Sequence, residues 1–322
     1  MSKQLKSNLL ILLAAFIWGT AFLAQKEGGQ IGTFTFNGIR FLIGGMFLLP
    51  VIYVFDRIRE KKAPSAAVSP DSDAAPDLDG EPESGGPDMS WNRTVFIGGI
   101  CCGIILFVAS SLQQYGVLFT SIGKTGFITA LYTLFVPVLS IAFGKKVSKL
   151  TWAAVFIGLI GLYLISMFGE SFSISYGDRF IIACAVGFAF QLMAIDHFAP
   201  KVDPVKLSAV EFLTLGVISL FFMFTFEEPT VDKIMSVLPS LLYASILSSG
   251  VAYTLQVVGQ QHAEPTQAAI MMCMESVFSL LTGMIVLGER MAVHEYIGAA
   301  LIFAAVVMSQ LPDKDRKGGD LK

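Results

Sequence analysis

Ten predominantly apolar runs of about 20 residues, separated by short charged or Gly/Pro-bearing segments, constrain this chain more than any other feature. They fall near 8–25, 33–55, 94–117, 120–143, 150–168, 179–198, 207–226, 237–258, 266–287 and 293–311. Hydrocarbon holds no water to satisfy backbone N–H and C=O groups, so runs of this length must close their own hydrogen bonds as helices. A β-barrel would show alternating runs of about ten residues, and none are present. Only 15% of the 322 residues are charged and 54% are hydrophobic, where soluble domains carry roughly 25% charged residues. The expected fold class is an all-α polytopic membrane protein with ten transmembrane helices. The first run follows Lys3 and Lys6 like a signal peptide, but its apolar core is long and it is read as a span.

Basic residues set the expected orientation. With ten spans and both termini cytoplasmic, the inner segments hold Lys3, Lys6, Arg57, Arg59, Lys145, Lys146, Lys149 and the tail residues Lys314, Arg316 and Lys317. The outer segments hold only Lys26, Lys124, Arg179, Lys233 and Arg290. That bias is what the positive-inside rule requires, and the expected location is the cell (plasma) membrane, an inner membrane of bacterial type. Residues 63–90 contain seven acids and no base amid Pro, Ala, Ser and Gly. They are read as a disordered acidic cytoplasmic linker, because they bury too little apolar surface to offset their ordering entropy. The cysteines Cys101, Cys102, Cys184 and Cys273 all fall inside spans and offer neither a disulfide framework nor metal-ligand spacing.

The two halves resemble each other. Gln113-Gln114-Tyr115-Gly116 aligns with Gln256-Val257-Val258-Gly259, and Gly144-Lys145-Lys146 with Gly288-Glu289-Arg290. Each half holds five spans, and an odd number makes the second half enter the membrane from the opposite side. Two inverted five-helix repeats are expected, 1–168 and 178–311, followed by a basic cytoplasmic tail at 312–322. Such inverted repeats recur in secondary transporters, with the substrate site near the midplane between them.

Several motifs support a family resemblance in their order and spacing. They are Trp18-Gly19-Thr20-Ala21-Phe22, Arg40-Phe41, the run Lys124-Thr125-Gly126-Phe127-Ile128-Thr129-Ala130-Leu131-Tyr132 with Val136-Pro137, and Glu275-Ser276-Val277-Phe278 with Leu287-Gly288-Glu289-Arg290. Together they resemble the drug/metabolite transporter (DMT) superfamily, specifically its EamA-type ten-helix permeases, over nearly the whole chain outside 56–92. The resemblance implies secondary transport, often export, of amino acids, nucleosides or other small metabolites, without naming a substrate. The long acidic insert, and Gly144-Lys145-Lys146 in place of Gly-Glu-Arg, depart from the pattern.

Glu275 falls near mid-bilayer, where a charge costs about 2.5–3.5 kcal/mol on insertion scales, so it should face a cavity or a partner. It is the candidate for substrate binding and for proton coupling. Arg40 either snorkels to the outer interface, pairs with a carboxylate or holds an anionic substrate group. Gln113, Gln256 and Gln191 bridge helices or line a polar path. Trp18, Tyr132 and Tyr253 supply packing or a wall for stacking. Asp196, His197 and Glu211 are read as solvated at the interface or paired with Lys201 or Lys206. Pro137 can kink the fourth span. The Gly99/Gly103 and Gly158/Gly161 pairs suit close helix packing. Gly123-Lys124-Thr125 matches only the end of a phosphate-binding loop and leads into an apolar span. His197, His262 and His294 are dispersed, and no GxSxG elbow occurs.

The expected function is therefore a secondary transporter, an exporter of amino-acid-like or nucleoside-like metabolites working by alternating access. Its substrate-binding residues are Glu275, Gln191, Trp18, Gln113, Tyr132 and Arg40. No enzyme activity, cofactor, metal or nucleic-acid partner is expected; membrane lipid, a small-molecule substrate and a homodimer partner are. A passive facilitator on the same fold, or a receptor or scaffold that docks partners through the acidic linker, are the competing readings.

Overall fold

The computed structural model describes residues 3–62, 89–169, 174–282, 284–285 and 291–311. The acidic linker (but for residues 89 and 90) and the basic tail lie outside the described residues. Apolar runs become helices that begin where a polar side chain can take up free N–H groups. Asn92 accepts from Val95 N at 2.9 Å to open α4 (Arg93–Gly116). Ser121, Ser148 and Ser175 play the same part for α5 (Ile122–Thr129), α7 (Lys149–Ser166) and α8 (Tyr176–Phe198). Asp203 caps α9 (Pro204–Phe226) through Val205 N and Lys206 N.

Seven helical segments among the described residues are long and apolar enough to cross a membrane. An eighth is the bent pair formed by α1 (Lys3–Gly19) and the stretch Ala24–Ile31, which includes most of α2 (Phe22–Gly28) and turns by 56°. The other two expected spans are visible in part: α13 (Pro265–Met272) with α14 (Met274–Thr282), and the 17-residue α15 (Val293–Ser309). The second span is α3 (Thr33–Lys62). The eighth runs from α11 (Leu238–Tyr243) through a π-helical stretch, Ala244–Tyr253, into α12 (Thr254–Gln260); α10 (Val231–Ser236) precedes it.

The fourth span, expected as one helix, is broken into α5 and α6 (Tyr132–Ala142) at Ala130–Leu131, a turn and a half before Pro137. There Leu131 N, Thr133 N and Leu134 N all bond three residues back instead of four. The ninth span breaks in the matching place, at Cys273, where Cys273 N and Ser276 N do the same.

Close contacts at small residues reveal the symmetry. A Cβ built on Gly161 of α7 would stand 2.6 Å from the Gly298 carbonyl oxygen of α15, and one on Gly298 would stand 2.6 Å from the Gly161 carbonyl oxygen. Gly45 of α3 lies against Leu213 of α9, and Gly216 of α9 lies against Leu42 of α3. Gly116 of α4 packs on Gly177 and Ile181 of α8, while Gly259 of α12 packs on Ser7 and Ile11 of α1. Each contact of one half thus recurs in the other with the partners exchanged, which is the signature of a two-fold relation. The equivalent helices α3 and α9 are antiparallel, because Gly38, Leu42 and Gly45 meet Leu220, Gly216 and Leu213 in reverse order. The repeats are inverted.

The α3–α9 pair is tied at both ends. Lys206 Nζ reaches Asp56 at 2.9 Å at one end. At the other, Glu227 accepts from Phe34 N at 2.9 Å, Thr35 N at 2.7 Å and the Thr35 hydroxyl at 2.8 Å, capping α3.

Candidate functional site

A cavity of about 70 Å³ opens between the two repeats. All six residues singled out as substrate-binding line it: Trp18, Arg40, Gln113, Tyr132, Gln191 and Glu275. They come from six different spans, four in the first half and two in the second.

The breaks in the fourth and ninth spans position two of them. Tyr132 is the first residue of α6 and Glu275 the second of α14, each just past the irregular turn. The shift that carries Gln113 to Gln256 also carries Tyr132 to Glu275, so phenol and carboxylate occupy equivalent places in the two repeats. Gly19 lets α1 approach closely here, since a Cβ on it would stand 2.7 Å from the Glu275 carbonyl oxygen. The half-buried Glu275 side chain lines the cavity and has no hydrogen-bond or ion-pair partner among the described residues.

Arg40 is 5% exposed and does not reach the outer interface. Its Nε donates to Ser249 Oγ at 2.7 Å and its Nη2 to Ser248 Oγ at 3.1 Å, with the Phe41 ring centroid 4.8 Å from the guanidinium carbon. No carboxylate pairs with it among the described residues. Both serines belong to the π-helical stretch. Such widened turns are uncommon and concentrate at functional sites, and this one supplies two adjacent hydroxyls to a single guanidinium. Trp18 Nε1 donates to the Ser248 carbonyl oxygen at 3.1 Å, and its ring stands edge-on to Tyr253, centroids 4.7 Å apart.

Amides form two chains across the cavity walls. Gln25 Nε2 donates to Gln113 Oε1 at 3.0 Å, and Gln113 Nε2 to Thr129 Oγ1 at 3.2 Å. In the other repeat, Gln191 Nε2 donates to Glu211 Oε1 at 3.1 Å, and Gln256 Nε2 donates to Gln191 Oε1 at 3.4 Å and Gln260 Oε1 at 3.0 Å.

Three residue readings are corrected. Glu211 is not at the interface: it is fully buried and bonded to Gln191. Asp196 pairs with Lys145, not with Lys201 or Lys206. Lys206 instead reaches Asp56 and the Met89 carbonyl oxygen. Sequence reasoning also passed over Gln25, Thr129 and the Ser248–Ser249 pair. A polar Ser-Ser-Gly run inside an apolar span was the available signal for the last. Lys124, dismissed as part of a phosphate loop, forms an ion pair with Asp178 at 2.6 Å.

What the arrangement can do follows from these groups. A lone guanidinium and a lone carboxyl share a cavity with aromatic and amide walls, so a polar solute can be held by several weak contacts without any covalent chemistry.

The EamA-like transporter family matches residues 5–167 and 175–310. An uncharacterized transporter of Archaeoglobus fulgidus is 26% identical over 312 residues, covering 96% of this chain and 87% of that protein. The uncharacterized transporter YoaV of Bacillus subtilis is 22% identical and covers 98% of this chain and 100% of its own length. The chloroplastic WAT1-related protein At3g02690 of Arabidopsis thaliana is 23% identical over 92% of this chain and 68% of that protein. One solved crystal structure superposes with a TM-score of 0.70 at 20% identity, covering 94% of this chain and 96% of that one, and shares its fold. With both halves matched and the helices arranged as an inverted pair, the chain is a multi-pass membrane protein that belongs to the EamA-like transporter family.

Proposed function

We propose that this chain is a secondary transporter that exports small amino-acid-like or nucleoside-like metabolites across the plasma membrane, with both termini cytoplasmic. The observation that carries the reading is the cavity between inverted repeats, lined by Arg40 and Glu275, neither of which has an oppositely charged partner among the described residues. Rocking of one repeat against the other would expose the cavity to each side in turn. Glu275 takes a substrate amine or a coupling proton, Arg40 takes an anionic substrate group, and Trp18 and Tyr132 provide ring surfaces. Gln113 and Gln191 orient the solute by amide hydrogen bonds.

Flux into proteoliposomes from a pool of amino acids, nucleosides and organic acids, with and without an imposed proton gradient, tests this. Gradient-dependent accumulation is the expected result, and the accumulated solute names the substrate class. Flux without accumulation would replace the active carrier by a facilitator and remove the proton role from Glu275. Absence of flux from folded protein for every solute in the pool would refute the substrate assignment.

A further inference from the structure

Glu211 lies behind the cavity wall, fully buried, and the transport reading gives it no task. Its Oε1 accepts from Gln191, while its Oε2 has no hydrogen-bond partner among the described residues. Among the described residues, the charged and titratable groups around it offer no counter-charge. On α4 the facing group is the Cys102 thiol, and on the π-helical stretch it is the Tyr253 phenol. On α3, Asp56 and Arg59 are engaged at the far end with Lys206 and Asp203, and Arg40 is held by the two serines. On α8 the contact is the neutral Gln191 amide. On α9 itself, Lys206 is taken by Asp56. The backbone cannot turn the carboxyl group out toward lipid without separating two helices. Cβ atoms built on Gly103 and Gly99 of α4 would stand 2.6 Å from the Glu211 carbonyl oxygen and 3.2 Å from its nitrogen.

We infer that Glu211 is a proton-binding site, separate from Glu275, that reports to the cavity through Gln191. An ionised carboxylate held there without a cation carries a large desolvation cost, and a proton delivered from water to the unpartnered Oε2 removes the charge. Gln191 continues to donate to Oε1 in both states, but a carboxylate draws that amide more strongly than a neutral acid does. Gln191 also lines the cavity and accepts from Gln256, so proton occupancy at Glu211 sets how firmly the cavity's amide is held. The pseudo-symmetry marks the same position: the shift that carries Gly45 to Gly216 carries Arg40 to Glu211. The two repeats thus place a base on the cavity and an acid behind it at equivalent sites.

The proton site does not depend on the transport reading, whereas its link to flux does, and two measurements separate them. The first is infrared spectroscopy of the purified full chain across a pH series. The Glu275→Gln protein should keep a carboxylic C=O band at neutral pH, and the E211Q/E275Q protein should lack it. An identical band in both proteins, or none in either, overturns the proton site. Should E211Q not fold, Glu211→Asp in the E275Q background replaces it, and its band should shift in frequency; an unmoved band overturns the proposal. The second is flux in proteoliposomes as a function of pH, with Glu211→Gln retaining transport but losing at least about tenfold of the wild-type pH response. A wild-type pH profile in E211Q overturns the link through Gln191. A proton band with no flux in any protein refutes the substrate assignment and leaves Glu211 as a proton site.

Discussion

Replacing Arg40 with glutamine separates its work in the fold from its work on a ligand. The change removes the bonds to Ser249 at 2.7 Å and Ser248 at 3.1 Å, together with the approach to the Phe41 ring. Hydrogen bonds from a charged donor contribute about 1.5–3 kcal/mol each. The same change also relieves the burial of a guanidinium that has no carboxylate partner, an effective penalty of several kcal/mol per ion. The two effects oppose each other, so folding stability should move by no more than about 1–2 kcal/mol. A ligand has no such compensation. Losing one charge-assisted contact to an anionic group costs about 1.5–3 kcal/mol, roughly tenfold to a hundredfold in affinity. Arg40→Lys should recover only part of this, because an ammonium cannot engage both serines and a ligand as a planar fork does. Uptake kinetics of carboxylate-bearing solutes, set beside thermal unfolding of the same proteins, measure both quantities. An unchanged KM in an R40Q protein of normal stability would refute the anion-binding role. A stability loss well beyond the estimate, with KM unchanged, would make Arg40 a bracket between α3 and the π-helical stretch.

Three further outcomes follow from named contacts. Glu275→Gln should leave stability equal or higher, since it removes an acid with no partner among the described residues, while lowering flux at least about tenfold; unaltered flux at every pH would remove Glu275 from the site. Gly161→Val forces a side chain into a gap where a Cβ already meets the Gly298 carbonyl oxygen at 2.6 Å, and should destabilise by about 1–3 kcal/mol in thermal unfolding, with Gly158→Ala close to neutral because its nearest neighbour, Ala305, would be 3.5 Å away. Deleting residues 63–88 should preserve solute flux, whereas loss of function in a folded deletion protein would favour the docking-scaffold reading.

Much of this protein is legible one residue at a time. Backbone groups in hydrocarbon must be satisfied within their own segment, so spans announce themselves as apolar runs wherever they later pack. The repeat is legible for a related reason: Gln113 and Gln256 keep their spacing from the spans that follow, and the odd span count dictates inversion. The list of polar residues deep in spans likewise selected six that share one cavity, because a polar group at that depth has few places to go but a cavity or a partner.

Depth along the chain says nothing about which way a helix is turned. Arg40 and Glu211 are each the eighth residue of their helices, yet packing turns Arg40 onto the cavity and Glu211 behind it. Reading Glu211 as an interfacial acid failed because the start of α9 lies three residues earlier than the apolar run suggests, and because Gly99 and Gly103 admit α4 against it. The breaks at Ala130 and Cys273 and the π-helical turn at Ser248–Ser249 are also decided by neighbours: irregular backbone survives at membrane depth only where surrounding helices enclose it. The sequence by itself therefore determined which segments cross the membrane and that they form two inverted halves, because those follow from local hydrogen bonding and spacing. Only the tertiary structure decided which charges meet the cavity and which stay without a partner, because that depends on helix rotation, set by where small residues let two helices touch.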